Sequence, residues 1–413
     1  PLVNTLVYYS GDPDNPTAAF NQSQVESQRT TLRFDIQSQA ELAGRALDIN
    51  WGLELGRDDT RQRAIDGRDI ATPLRNDSAA AFVQVTAPVS DSVTLAGGLR
   101  YDYHDLTVSD FVRPAAYYYL APYRTGVVLD EILVTGGRFR YGQLTGNLGF
   151  TWQMSPATQA FGGFSQGFSL TDIGGFTRRA GMNSRAEACE AYGTSNPIVA
   201  LLYGCTTPGT GRISYADIAP SPQVVNTWEL GMRHDGARWS AQAAAFFSTS
   251  NEGVSFDPVT NRVSQAREEI WGVELQGRYQ ISDATLLEGM LGFREGRVDT
   301  TGDGRVDNWL DNNRIGAPLR LRLGVTHLTR SGWALSGEAL YMHGRERRAD
   351  RIVLPSATLF NVSASRPLGD GTLSIAIENL LDRQYLNPSA TATRNAAVAG
   401  LGRTITIGYS RTF

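Results

Sequence analysis

The chain has 413 residues, with 38 basic and 42 acidic side chains (net charge −4) and 41% apolar residues. This balance offers no basic surface to a polyanion, so no nucleic-acid partner is expected, and because every basic residue is Arg, lysine Schiff-base and P-loop lysine chemistry are excluded. No apolar run approaches the roughly 18 residues a membrane helix needs, whereas a membrane strand needs only about 10 alternating ones.

The chain opens on PLVNTLVYYS, with no charged leader, and reads as a strand inside a longer protein. Period-two alternation then recurs. In ALDINWGLELG, Leu47, Ile49, Trp51, Leu53 and Leu55 share one face and Asp48, Asn50 and Glu54 the other. VTLAGGLRYDYH sets Leu95, Leu99 and Tyr101 against Thr94, Arg100 and Asp102. Further on, Trp271, Val273 and Leu275 oppose Glu274, Gln276 and Arg278, and Leu321 and Leu323 oppose Arg320 and Arg322. The last stretch, GRTITIGYSRTF, puts Ile405, Ile407, Tyr409 and Phe413 opposite Thr404, Thr406 and Ser410. The pattern predicts sixteen strands, at 2–10, 28–38, 46–57, 78–88, 92–105, 138–152, 157–168, 223–235, 238–250, 268–280, 284–296, 317–328, 332–343, 356–367, 371–379 and 403–413.

The predicted connections alternate between short Gly/Asp/Ser/Pro turns and long polar loops, at 11–27, 58–77, 106–137, 169–222, 251–267, 297–315, 345–355 and 382–402. Antiparallel neighbours joined this way put every short turn at one end of a sheet and every long loop at the other. A soluble sandwich also alternates, but its strands average about 5–6 residues, shorter than those predicted here. Charges on one face, aromatics near strand ends on the other, and unequal loops predict an all-β, antiparallel transmembrane barrel. Backbone groups have no other partners in lipid, so the last strand is expected to pair with the barrel's first.

Several segments resemble TonB-dependent outer-membrane receptors of the siderophore-receptor type. The terminal IENLLDRQYLNP carries the family's Asn-Leu-x-Asp-x-x-Tyr motif at Asn379, Leu380, Asp382 and Tyr385, followed by a strand ending on Phe413. LAGGLRYDYHDL, GFSQGFSL and NTWELGMRHDGARWSAQAAAF resemble earlier strands in the same order, so the likeness covers residues 28–413. It implies a barrel of about 22 strands around a plug, of which residues 1–413 would be the C-terminal portion, its last sixteen strands, with no plug domain in this chain. It also implies residence in the bacterial outer membrane, contact with its lipid, a ferric siderophore as ligand, no resident cofactor, and energy from the TonB complex through the plug. Cobalamin, haem or glycan as cargo remains open, as does a passive porin-like channel, sixteen being also a porin count; a surface adhesive barrel is a third reading.

No nucleophile elbow or P-loop occurs, and no enzyme activity is expected. His104, His234, His327 and His343 lack metal-ligand spacing. GDGRVDNWLDNN has the Asp303, Asp307 and Asp311 spacing of a loose calcium loop but no closing Glu, and reads as a solvated outer loop. Mixed charges on the polar face read mainly as a seat for the plug. Two long loops offer ligand contacts. FVRPAAYYYLAPYRT holds Arg113, Tyr117, Tyr118, Tyr119, Tyr123 and Arg124, suited to stacking on and pairing with an anionic chelate. GGFTRRAG holds Phe176, Arg178 and Arg179. In the same loop Cys189 and Cys205 read as a disulfide closing an exposed segment, with two unrelated free thiols as the alternative.

Overall fold

A computed structural model describes residues 7–9, 19–20, 23–64, 66–120, 125–171, 173–257, 262–345, 353–394 and 397–411. One antiparallel sheet runs through most of them, its hydrogen-bonded order following the sequence. Its strands are Ser23–Leu42, Arg45–Ala64, Asp69–Pro88, Val93–Val108, Gly137–Ser155, Thr158–Ser169, Gln223–Asp235, Trp239–Asp257, Arg262–Ser282, Thr285–Val298, Leu319–Leu328, Ala334–Met342, Ala357–Leu368, Gly371–Glu378 and Thr404–Arg411. The short Asn308–Trp309 strand pairs beside Thr285–Val298 and makes sixteen.

The count agrees with expectation, but its membership differs. Of the strand expected at 2–10 the described part, Val7–Tyr9, pairs with Ala19–Phe20 and Ala116–Leu120 in a separate four-stranded sheet and not with the wall. In the expected loop 11–27, residues 19–20 and 23–27 are strand, and so are 58–64 and 69–77 of the expected loop 58–77. Alternation fades there because cross-strand ion pairs take over from apolar contacts. Arg57 reaches Asp77 at 2.7 Å, Arg75 reaches Asp59 at 2.8 Å and Arg61 reaches Asp69 at 2.8 Å.

The wall is a single layer with its apolar side outward. Leu148, Leu230 and Ile407 are 62%, 63% and 70% exposed, while Asp102 and Thr145 on the opposite face are buried. A sandwich would reverse this arrangement. Inward-pointing rings cover two cross-strand glycines. A Cβ at Gly231 would meet the Phe161 ring at 2.4 Å, and one at Gly272 the Phe246 ring at 2.6 Å. Glycine at those positions lets ring and backbone touch in a tightly curved sheet. The first hairpin turns on Ala43 and Gly44, both at positive φ (51° and 76°), the twist-matched geometry for a two-residue connection. Among the described residues no ladder joins the edge strands Ser23–Leu42 and Thr404–Arg411.

A buried apolar cluster joins Ala64, Ile70, Leu106 and Val108, at the long-loop ends of three wall strands, to a cap made from residues 109–120, 125–136, 169–171 and 173–222. Four short helices belong to it: α1 (Ile173–Arg178), α2 (Arg185–Ala191), α3 (Pro197–Tyr203) and α4 (Tyr215–Ile218). A three-stranded sheet also belongs to it, with Ile132–Thr135 between Phe111–Arg113 and Arg212–Ser214, as does the Ala116–Leu120 and Thr125–Leu129 pair. In the cap Leu129, Ile132, Val134, Met182 and Tyr215 are almost fully buried, as is Leu106 on the wall strand beneath it. A fifth helix, α5 (Pro388–Arg394), lies in the last long loop.

Candidate functional site

The site has a polar inner wall and a cap over its long-loop end. Local sequence builds the cap. Ser184 starts α2, its Oγ accepting from the Glu187 amide at 3.1 Å. Asn196 starts α3 by accepting from the Val199 amide, Pro197 follows, and Gly204 ends the helix at φ 64°. Cys189 and Cys205 are bonded, with Cα atoms 5.3 Å apart, so α2 is tied to the residue after the end of α3. Burial pushes the Glu187 carboxyl up to about 7, although the Gly181 amide, Asn183 and Ser184 all donate to it. Arg113 is fully buried and donates to the carbonyls of Pro114 and Asp130 and to the Tyr192 hydroxyl. It staples three segments of the cap together.

Polar contacts fix the cap to the wall at two places. On one side Arg178 donates to Gln62 Oε1 at 2.9 Å, and the Thr72 amide donates to Thr177 Oγ1. On the other, the Gln265 side chain exchanges two 2.8 Å bonds with the backbone of Ser221, and the Val263 amide donates to Asn183 Oδ1. The strands carrying Gln62 and Val263 have six others between them in sheet order. The cap therefore bridges the mouth from one hairpin to another.

Below it, on the inner face, a cavity of about 310 Å³ is lined by Arg29, Glu54, Arg100, Asp102, His104 and Phe168. Arg100 pairs with Asp102 at 2.8 Å and approaches Glu54 at 3.6 Å. The GFSQGFSL segment forms a fork here. Beyond Ser165 the Thr158–Ser169 strand parts from Gly137–Ser155 but stays with Gln223–Asp235. Gln166 Oε1 accepts from the otherwise freed Gly146 amide, and Phe168 approaches the His104 ring, centroids 5.6 Å apart. Sequence reading singled out the segment but not this arrangement.

The candidate ligand contacts are not gathered in one place. Tyr117, Tyr118 and Tyr119 lie on the Ala116–Leu120 strand, paired with Thr125–Leu129, and their side chains fall outside the described set. Tyr123 and Arg124 lie outside the described residues, as does Phe413. Phe176 is buried within α1. Arg178 is engaged with Gln62, and Arg179 donates to the Gly175 carbonyl. As placed, α1 anchors the cap.

The Asn-Leu-x-Asp-x-x-Tyr motif shapes the last loop. Asn379 stands at φ 49°, donates to the carbonyls of Arg383 and Leu401, and accepts from the Arg383 amide. Asp382, at φ 51°, accepts from the Arg403 amide, and the Gly400 amide donates to the Tyr385 carbonyl. In the 299–307 loop the carboxylates turn onto their own backbone: Asp299 accepts from the amides of Thr301, Gly302 and Gly304, and Asp307 from Thr300. These bonds hold the loop in its turn.

A curved one-layer antiparallel wall, apolar outside and polar inside, with one end capped by long folded loops, is the architecture of a transmembrane-type β-barrel. The chain belongs to the family described as TonB dependent receptor-like, beta-barrel, whose model matches residues 3–380. It is 24% identical to the ferric aerobactin receptor of Klebsiella pneumoniae, over 96% of this chain and 54% of that protein. It is also 24% identical to the rhizobactin receptor of Rhizobium meliloti (strain 1021), over 74% of this chain and 38% of that one. Among solved structures, the copper transporter OprC superposes with a TM-score of 0.63 at 14% identity, covering 93% of this chain and 57% of the transporter. The chain thus spans about half the length of the first of these relatives.

Proposed function

We propose that the chain is the C-terminal barrel portion of an outer-membrane receptor that binds a ferric siderophore and imports it with energy from the inner membrane. Likeness to a ferric aerobactin receptor over 96% of the chain carries this reading. The fold alone does not choose the cargo, since a copper transporter shares it. The outward apolar wall suits hydrocarbon, and the polar inner face suits a hydrated lumen or a plug. Binding takes place at the long-loop end, beneath the cap and against the Arg29, Arg100, His104 and Phe168 wall. Tyr117, Tyr118 and Tyr119 on the Ala116–Leu120 strand, with Arg178 and Arg179, complete the contact as the cap shifts. A plug domain in the same protein carries the contact to the TonB complex, and the barrel strands outside this chain pair with the two free edges.

The test uses the full-length receptor in outer membranes. Ferric aerobactin and ferric rhizobactin should bind without energy and enter only when the inner membrane is energised. Failure to bind either, with copper or another cargo taken up instead, overturns the siderophore reading. The open polar inner face would also suit a passive channel. Single-channel conductance separates the two, because a plugged importer stays nearly closed at rest.

A further inference from the structure

We propose that the inner wall near its short-turn end holds a transit site for an oxygen-rich anionic chelate, separate from the site beneath the cap. This rests on the import reading above and extends it to the path the cargo follows. The register places one inward row across six adjacent strands: Gln159 opposite Arg233, Arg233 opposite Gln242, Gln242 opposite Gln276, Gln276 opposite Met290 and Met290 opposite Arg322. The row borders a cavity of about 640 Å³ on the central strands of the wall, away from either edge.

The charge of the row is one-sided, and its carboxamides can turn their donors inward. It has two guanidinium groups and three carboxamides, and no carboxylate. Arg322 is engaged by Glu338 on the next strand. The side chains of Arg233, Gln242 and Gln276 have no hydrogen-bond partner among the described residues. Flanking this row, Arg278 lies 3.7 Å from Asp235, with both side chains mostly exposed, so this pair is weak and its charges remain available. Including that flank, the cavity sets three arginines against Asp235 and Glu288.

An anionic chelate presents acceptors almost exclusively, and such a row answers it with donors spaced about 4.8 Å apart, the distance between strands. A polypeptide lying on the row would bring donors and acceptors in equal number at a repeat of about 3.4 Å, which does not match. Several weak, equivalent contacts in line hold a passing anion without trapping it, the condition for movement through a pore.

The experiment compares the full-length receptor with Arg233→Gln, Arg233→Glu, Arg233→Lys and the paired Gln242→Ala/Gln276→Ala variant, using ferric aerobactin as probe. Equilibrium binding to unenergised membranes should stay within about twofold of wild type, because the row lies far from the cap. Energised uptake should fall about tenfold in Arg233→Gln, the loss of one charge-assisted hydrogen bond. It should fall further in Arg233→Glu and recover in Arg233→Lys. The paired glutamine variant keeps every charge, tests the row if an Arg233 variant fails to assemble, and should also slow uptake. Unchanged uptake in variants that assemble overturns the transit site. So does slowed uptake accompanied by raised resting conductance, which would make the row a polypeptide seat. A wild-type receptor that neither binds nor imports the probe overturns the siderophore reading itself, and the transit site with it.

Discussion

Glu187 shows how one side chain can make the cap sensitive to pH. Its carboxyl titrates near 7 because burial outweighs the donors around it. A raised carboxyl favours the folded state in its neutral form. Its contribution is fully present below the ordinary carboxylate value and is lost as pH rises through about 7. The range involved is worth up to about 3 kcal/mol. Amide protection factors across 181–191 should therefore fall between pH 5.5 and pH 8, and Glu187→Gln should flatten that change. Asp299 behaves in the opposite way. Burial works to raise it, but the amides of Gly302, Gly304 and Thr301 outweigh this and hold it below the usual range. The 299–304 turn should stay ordered under mild acid and loosen only as pH falls below the ordinary carboxylate range, read from the chemical shifts of those amides. Asn379 shows how much of a motif can be read in advance. The residues of the motif were visible as letters, but their role depends on a left-handed backbone and on carbonyls as distant as Leu401, which spacing does not reveal. Asn379→Ala removes three hydrogen bonds and leaves a Cβ residue at φ 49°. It should cost about 3 kcal/mol of barrel stability, measured as a lower midpoint in denaturant.

At the scale of elements, the strands could be read where lipid-type alternation applies and not where it stops. Leu53, Leu55, Trp51 and their counterparts fixed the wall, whereas the upper halves of Arg45–Ala64 and Asp69–Pro88 are joined by Arg–Asp pairs that look like loop composition. The cap left a fainter trace. Its helices are seven residues or fewer, too short for a periodic signal. Their ends were still marked by Ser184 three residues before Glu187, by Asn196-Pro197 and by Gly204. The disulfide was expected and is present. In the chain-entropy account a loop of this length is worth about 3 kcal/mol. Reduction, or Cys189→Ser with Cys205→Ser, should open α2 and α3 to protease while the wall strands keep their protection.

For the whole molecule, the inside-out wall makes a paired prediction. Leu230→Arg puts a charge on the outer face and should cost about 2–4 kcal/mol of folding into lipid vesicles if it lies near the bilayer midplane. Glu274→Arg on the inner face should change folding by no more than about 1 kcal/mol. Equal costs at the two positions would contradict a barrel in lipid. Alternation made these faces legible. The span of the cap was not legible, because nothing in the sequence tells a loop after the Thr158–Ser169 strand to meet Gln62 on one side and Val263 on the other. That span behaves as a tie-bar across an arch. A curved sheet with its rim tied at two points cannot splay or flatten there until one end lets go. Breathing of the entrance is thereby governed by these side-chain contacts, and by the apolar packing of Ala64, Ile70, Leu106 and Val108 into the cap, instead of by the ladders of the wall. Substituting Arg178 or Gln265 should widen the rim over a distance of several strands without breaking a single strand pairing.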